Sequence, residues 1–193
     1  MTLNEIIEKR KSIRNFSDEK VPDEKINAIV NAAITAPSSF NEQPWRLILA
    51  LKEEPLFNIV LASLSEWNQQ WAKNASFLAI ALAKKYYSHN QKPNIHAWYD
   101  LGQFIAYFTL KATEMGSFVH QIGGFSDQFV RDKLKIDDQF DIVSIVALGY
   151  KSDNPTIEEP IFKLDKQPRT RKSMDEVVGF DDVSLVSVNN ILP

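Results

Sequence analysis

The stretch Phe77 to Ala83, "FLAIALA", is the longest unbroken apolar run in the chain, and it stops at Lys84 and Lys85. It falls far short of the ~20 residues needed to cross a bilayer. Its length suits a central strand, although its Ala and Leu content also suits a helix; its position between turn signals favours the strand. A central strand implies a sheet with helices packed on it, and the flanking patterns supply both kinds of element.

Leu3, Ile6 and Ile7 start an apolar stripe at helical spacing, and residues 23–36 repeat it with Ile26, Ile29, Val30 and Ala33 between Pro22 and Pro37. Residues 46–52 read as a buried strand, and Pro55 introduces a short helix over 56–64. A long helix is expected over 96–115, with Leu101, Ile105, Phe108 and Ala112 on related faces and Gly116 as its stop. "GGF" at 123–125 is a turn, Ser126 caps a helix running to about Leu134, and 141–150 is a strand closing at Gly149. From Lys151 onward the chain is polar and punctuated by proline, so it is expected to lie on the rest. The mixture indicates an α/β or α+β layer arrangement.

With 193 residues and 44% hydrophobic content, one domain with a sizeable core is the expectation. A net charge of -3 argues against general affinity for nucleic acid or acidic membranes, so no nucleic acid or membrane partner is expected. The absence of cysteine excludes disulfides, thiolate nucleophiles and Cys-ligated zinc. The charged, amphipathic start "MTLNEIIEKRKSIR" differs from a signal peptide, and a cytoplasmic protein is expected.

Placing residues 3–14 on one helix puts Arg10 within the apolar stripe and returns Arg14 to nearly the same angle. Such cations can interact with a helix C-terminus or extend their heads to water. Alternatively, Arg10, Lys11, Ser12 and Arg14 surround a phosphate or another fixed anion, with "PRTRK" at 168–172 closing the pocket. The three histidines lack zinc-helix spacing, and no G-x-S-x-G, G-x-G-x-x-G or P-loop motif is present. A phosphate held here is therefore held by another device.

In "APSSFNEQPW" at 36–45, Pro37 and Pro44 fix the backbone, while Ser38, Ser39, Asn41 and Gln43 offer mixed donors and acceptors. The simpler reading is a helix-to-strand connection with Trp45 docked in the core; the other has Trp45 sealing an interface. The same choice between core and site applies to Trp98, Phe104, Tyr107 and Phe108 of the long helix.

Taken in order, "EKRKSIRNF", "APSSFNEQPW", "IGGF", "VALGY" and "RTRKSMDEVV" resemble the nitroreductase family of FMN-dependent oxidoreductases over roughly residues 3–179. Residues 180–193 lie outside the match as a C-terminal tail. The resemblance implies an α+β fold of three layers, α/β/α. Its central, mainly antiparallel sheet would be flanked by helices, in an interlocked homodimer with FMN in two interface clefts. It carries Arg10, Lys11, Ser12 and Arg14 over as flavin ligands, joined at the phosphate by Arg169 and Arg171. Pro37, Ser38, Ser39 and Asn41 would approach from the partner subunit, and Gln43 of the same loop is also carried over as a flavin ligand. Asn68, Gly123 and Gly124 would lie near the ring. No side chain is assigned a catalytic role and no metal is expected. The implied activity is NADH- or NADPH-dependent reduction of nitroaromatic, quinone or similar acceptors by a ping-pong hydride-transfer mechanism. Alternatives on the same scaffold are an FMN storage or sensing protein, or a specialised dehydrogenase or dehalogenase. One departure is Trp71, which stands where many relatives carry a lysine at the flavin edge. Its presence raises the expectation of a narrower cleft.

Overall fold

The structure, a computed structural model, describes residues 1–181 and 183–186. Most of what the sequence leaves open about the tail lies outside those residues.

Four strands form one sheet in the order β1-β2-β4-β3, every neighbouring pair antiparallel. They are β1 (Trp45–Leu51), β2 (Phe77–Lys84), β3 (Phe118–Ile122) and β4 (Phe140–Gly149). The helices are α1 (Leu3–Lys9), α2 (Asp23–Ala33), α3 (Pro55–Ser63), α4 (Glu66–Ala72), α5 (Ala97–Glu114), α6 (Asp127–Leu134) and α7 (Glu159–Lys166).

The apolar run becomes β2 because it lies between two strands and is covered on both faces. Phe77, Ala79, Ala81 and Ala83 join a core with Ile26 and Ile29 of α2 and Leu101, Phe104 and Phe108 of α5. Leu78, Ile80 and Leu82 face the opposite core, built with Phe57 of α3, Trp71 of α4, Val130 of α6 and Ile161 of α7. Alternation along a strand thus divides one continuous apolar run between two helical layers. A register shift opposite Ala81 and Leu82 adds a residue to β4, so Ile142 and Ile145 both join the second core despite their odd spacing. The result is the three-layer α/β/α arrangement.

Three expectations need correction. The first helix ends at Lys9, with Arg10 at its C-cap in a non-helical conformation, so Arg10 and Arg14 do not share a helical stripe. Beyond it, tertiary partners replace helical hydrogen bonds: the N–H groups of Arg14 and Asn15 donate to Asp165, and Phe16 forms a bridge with Lys151. Trp45 docks inside, stacked on Phe104 at 5.3 Å between ring centres, and does not seal an outer surface. Trp71 is fully buried against Phe16 and His120, so it fills the core and does not narrow a cleft. Within α5, Phe104 and Phe108 are core residues, whereas Trp98 and Tyr107 are exposed. Among the described residues, no helix is long and apolar enough to cross a membrane.

Candidate functional site

The segment after α1 runs extended along the second core and presents its cations beside the chain that follows α7. The Arg10 Nη1 group donates to the Ser12 hydroxyl over 3.4 Å. Arg169, which donates to the Ile7 carbonyl at 2.8 Å, and Arg171 lie close enough to act on Arg10 electrostatically. Burial lowers the Arg10 pKa from its ordinary value, and the like charges of Arg169 and Arg171 lower it further. Lys11 donates to the Asp165 and Gln167 carbonyls, fixing the segment to the end of α7. A cavity of about 300 Å³ opens between these two stretches, lined by Arg10, Lys11, Ser12, Arg169 and Arg171. Sequence-distant basic residues therefore meet in one place, as the sequence led us to expect.

Arg14 points elsewhere in the same row. Its guanidinium lies 3.5 Å from Asp165, close enough for ion pairing without hydrogen-bond alignment, and its Nε is buried with no protein partner. Asp165 Oδ2 accepts the N–H groups of Arg14 and Asn15 at 2.6 and 2.8 Å, which sets the backbone of the basic segment. On its other side, His120 Nδ1–H donates to the Ile13 carbonyl at 2.9 Å, and the imidazole packs on Trp71 with ring centres 4.5 Å apart. One turn before Trp71, Asn68 donates to the Gly124 carbonyl at 3.2 Å. A Cβ on Gly124 would lie 2.7 Å from the Asn68 amide nitrogen, so a larger residue there would push the Asn68 side chain from its present place. A Cβ on Gly123 would meet open space. The order Gly124, Asn68, Trp71, His120, Ile13, Arg14, Asp165, Lys11 thus forms one continuous row ending at the cationic cavity.

Residues 37–43 lie apart. Among the described residues, none of their hydrogen bonds or ion pairs reaches the row or the cavity. The loop is held instead by Asp100, a buried carboxylate in the first turn of α5 that accepts the Ser39 N–H at 3.1 Å. The dipole of α5 favours a carboxylate at that position. The Ser39 hydroxyl meets the Tyr87 hydroxyl at 3.2 Å, Ser38 Oγ accepts the Gln43 N–H at 3.0 Å, and Gln43 donates to the Asn41 side chain at 3.2 Å. Pro37 and Asn41 are exposed.

Sequence reasoning passed over Asp165, Asp100 and His120. Asp100 left a signal: it shares the helical face of Phe104 and Phe108 at spacings of four, a carboxylate among core positions. Asp165 left none, being one acid among many in a polar stretch.

Burial moves His120 down to about 4, with the Arg14 cation adding to the effect and the Ile13 hydrogen bond opposing it. An unfolded chain takes up this proton as pH falls through about 6.5, whereas the folded chain resists until about 4. Stability attributable to His120 therefore declines across that interval, by up to about 3 kcal/mol. In denaturation midpoints measured at pH 7 and pH 4.5, His120→Gln is expected to lose less stability on acidification than the parent. Equal losses would place the acid sensitivity on other groups.

A model of the nitroreductase family matches residues 7–150. The chain belongs to the nitroreductase family. A relative in Archaeoglobus fulgidus, provisionally named NADH dehydrogenase/NAD(P)H nitroreductase, is 31% identical over 157 residues, covering 78% of this chain and 86% of that protein. A similarly named protein of Methanothermobacter thermautotrophicus is 41% identical over 59 residues, a match spanning 31% of each chain. A solved structure described as an oxidoreductase containing FMN aligns with a TM-score of 0.87 and 28% identity, covering 93% of this chain and 91% of that one. The family match takes in the basic segment, the 37–43 loop, Asn68 and both glycines. Arg169 and Arg171 lie beyond it.

Proposed function

We propose that this chain is an FMN-dependent oxidoreductase that uses NADH or NADPH to reduce nitroaromatic, quinone or similar oxidised acceptors, working as a cytoplasmic homodimer. The observation that carries this reading is the crowding of Arg10, Arg169 and Arg171 beside the Ser12 hydroxyl. Like charges drawn together raise the energy of the empty site, and a dianionic phosphate reverses that penalty through charge-assisted hydrogen bonds. The relatives' names and the FMN-containing oxidoreductase of similar fold support the same cofactor.

The residues fit the group. Arg10, Lys11, Ser12, Arg169 and Arg171 would hold the phosphate. The buried Arg14 Nε lacks a protein acceptor and would find one on the ligand. Asn68 and the open side of Gly123 would border the ring, with Gly124 allowing Asn68 to sit close. Pro37, Ser38, Ser39, Asn41 and Gln43 would serve the partner's cofactor, which accounts for a loop built so firmly yet away from the cationic cavity in its own chain. When bound, FMN supplies hydride acceptance from the reduced nicotinamide and, after that product leaves, delivery of two electrons to the acceptor. The protein contributes placement, positive charge and exclusion of water, and no side chain acts as a nucleophile.

The visible spectrum of the purified protein tests this directly. Yellow protein that bleaches on anaerobic addition of NADH or NADPH and recovers with a nitroaromatic or quinone is expected. A colourless protein that does not take up added FMN, or a yellow one that never bleaches, overturns the reading.

A further inference from the structure

Phe40 occupies the centre of the 37–43 loop in a conformation that folding alone does not favour. Its φ is 54°, in the left-handed region that disfavours a side chain of this size, and Asn41 and Gln43 share that region at 54° and 49°. Its ring is 81% exposed, so burial within its own chain offers little return for the strain. The surrounding bonds nevertheless define the loop on both sides. Asp100 fixes Ser39 immediately before Phe40, and Glu42 two residues later accepts the Ser88 N–H and hydroxyl at 2.8 and 2.6 Å. The Phe40 ring rests edge-on against Tyr87, with ring centres 5.7 Å apart, and against His89 at 5.6 Å; Tyr87 and His89 are themselves 5.3 Å apart. The consequence is a supported aromatic shelf held out toward solvent.

We propose that Phe40 is a specificity-determining residue that stacks planar aromatic acceptors at the reducing site, an inference that rests on the oxidoreductase reading above. Ser38, Ser39, Asn41 and Gln43 flank Phe40 on both sides, so a loop that brings them to a flavin brings the Phe40 ring to the same cleft. A flat aromatic acceptor gains an offset or edge-to-face contact there, and a compact inorganic oxidant gains none. The support from Tyr87 and His89 means that the ring is already positioned before the acceptor arrives. Selectivity for nitroaromatics and quinones over non-aromatic oxidants then arises in acceptor binding.

The test compares the parent with Phe40→Ala and Phe40→Trp, using 4-nitrobenzoate and ferricyanide as acceptors and the visible spectrum as the measure of bound FMN. For Phe40→Ala, the ratio of kcat/KM for the nitroaromatic to that for ferricyanide is expected to fall by about five- to tenfold, chiefly through KM. Phe40→Trp, which keeps a stacking surface, is expected to hold or raise that ratio. A yellow, reducible parent whose Phe40→Ala variant keeps the ratio overturns this inference alone, as does an equal fall with both acceptors. A colourless parent that does not take up FMN overturns the cofactor reading itself.

Discussion

Arg10→Ala combined with Arg169→Ala is expected to weaken FMN binding about a thousandfold while leaving the apoprotein as stable as the parent, or slightly more so. A charge-assisted hydrogen bond to phosphate contributes roughly 1.5 to 3 kcal/mol, so losing two costs about three orders of magnitude in affinity. The opposite sign for the apoprotein follows from the geometry. Burial and the like charges of Arg169 and Arg171 all disfavour a charged Arg10, so truncation removes repulsion that only an anion offsets. The bond from Arg169 to the Ile7 carbonyl is exposed and adds little in return. Titrating the apoprotein with FMN by fluorescence quenching, alongside thermal unfolding without ligand, separates the two effects. An affinity loss below tenfold would move the phosphate away from this cavity. A large fall in apoprotein melting temperature would recast the cluster as a structural feature.

This cluster was legible in the sequence by a route that proved partly mistaken. Continuing α1 past Lys9 would group Arg10 with Arg14, but Arg10 leaves the helical conformation, and further on Asp165 takes the N–H groups of Arg14 and Asn15. The grouping of Arg10 with Arg169 and Arg171 survives because extended chain beside the residues after α7 also brings them together. Strands followed the strength of their apolar signal. β2 and β4 were readable, whereas β3 was not, since "FVHQI" alternates weakly and lies at the sheet edge with His120 and Gln121 among its residues. Helix α4, "EWNQQWA", buries only Trp71 and Ala72, and α7 buries only Ile161. With so few apolar anchors, α4 shows no helical period and forms because the capping Ser65 and the second core hold it in place. In and just before α7, Ile157, Ile161 and Leu164 do recur at spacings of four and three, but within a polar, proline-punctuated stretch too short to stand out. The site's supports were the hardest to see, because a carboxylate such as Asp165 acquires its meaning only when the fold brings it to the segment it holds.

Trp71 provides the second large effect, and it links that hidden support to the site. Trp71→Ala is expected to destabilise the protein by about 4 kcal/mol, the usual cost of emptying a buried aromatic site. For a chain of this size that lowers the melting temperature by roughly 8–16 °C. Phe16 and His120 would lose their packing partner, and α4 would lose most of its attachment. Asn68, one turn away on the same helix, would then be held mainly by its bond to Gly124 and by the Ser65 cap, so FMN affinity is expected to fall as well. Trp71→Phe should cost far less, because the indole Nε1 already lacks a hydrogen-bond partner and little beyond packing is at stake. Trp71→Lys, which installs the residue that the family resemblance leads one to expect at this position, is expected to be at least as damaging as the alanine variant. Its ammonium would enter a fully enclosed position beside His120, with the Arg14 cation close by. Chemical denaturation of the three variants ranks them. A lysine variant as stable as the parent would show that position 71 can turn outward to the cleft, and would return to it the flavin-edge role that burial of the tryptophan denies.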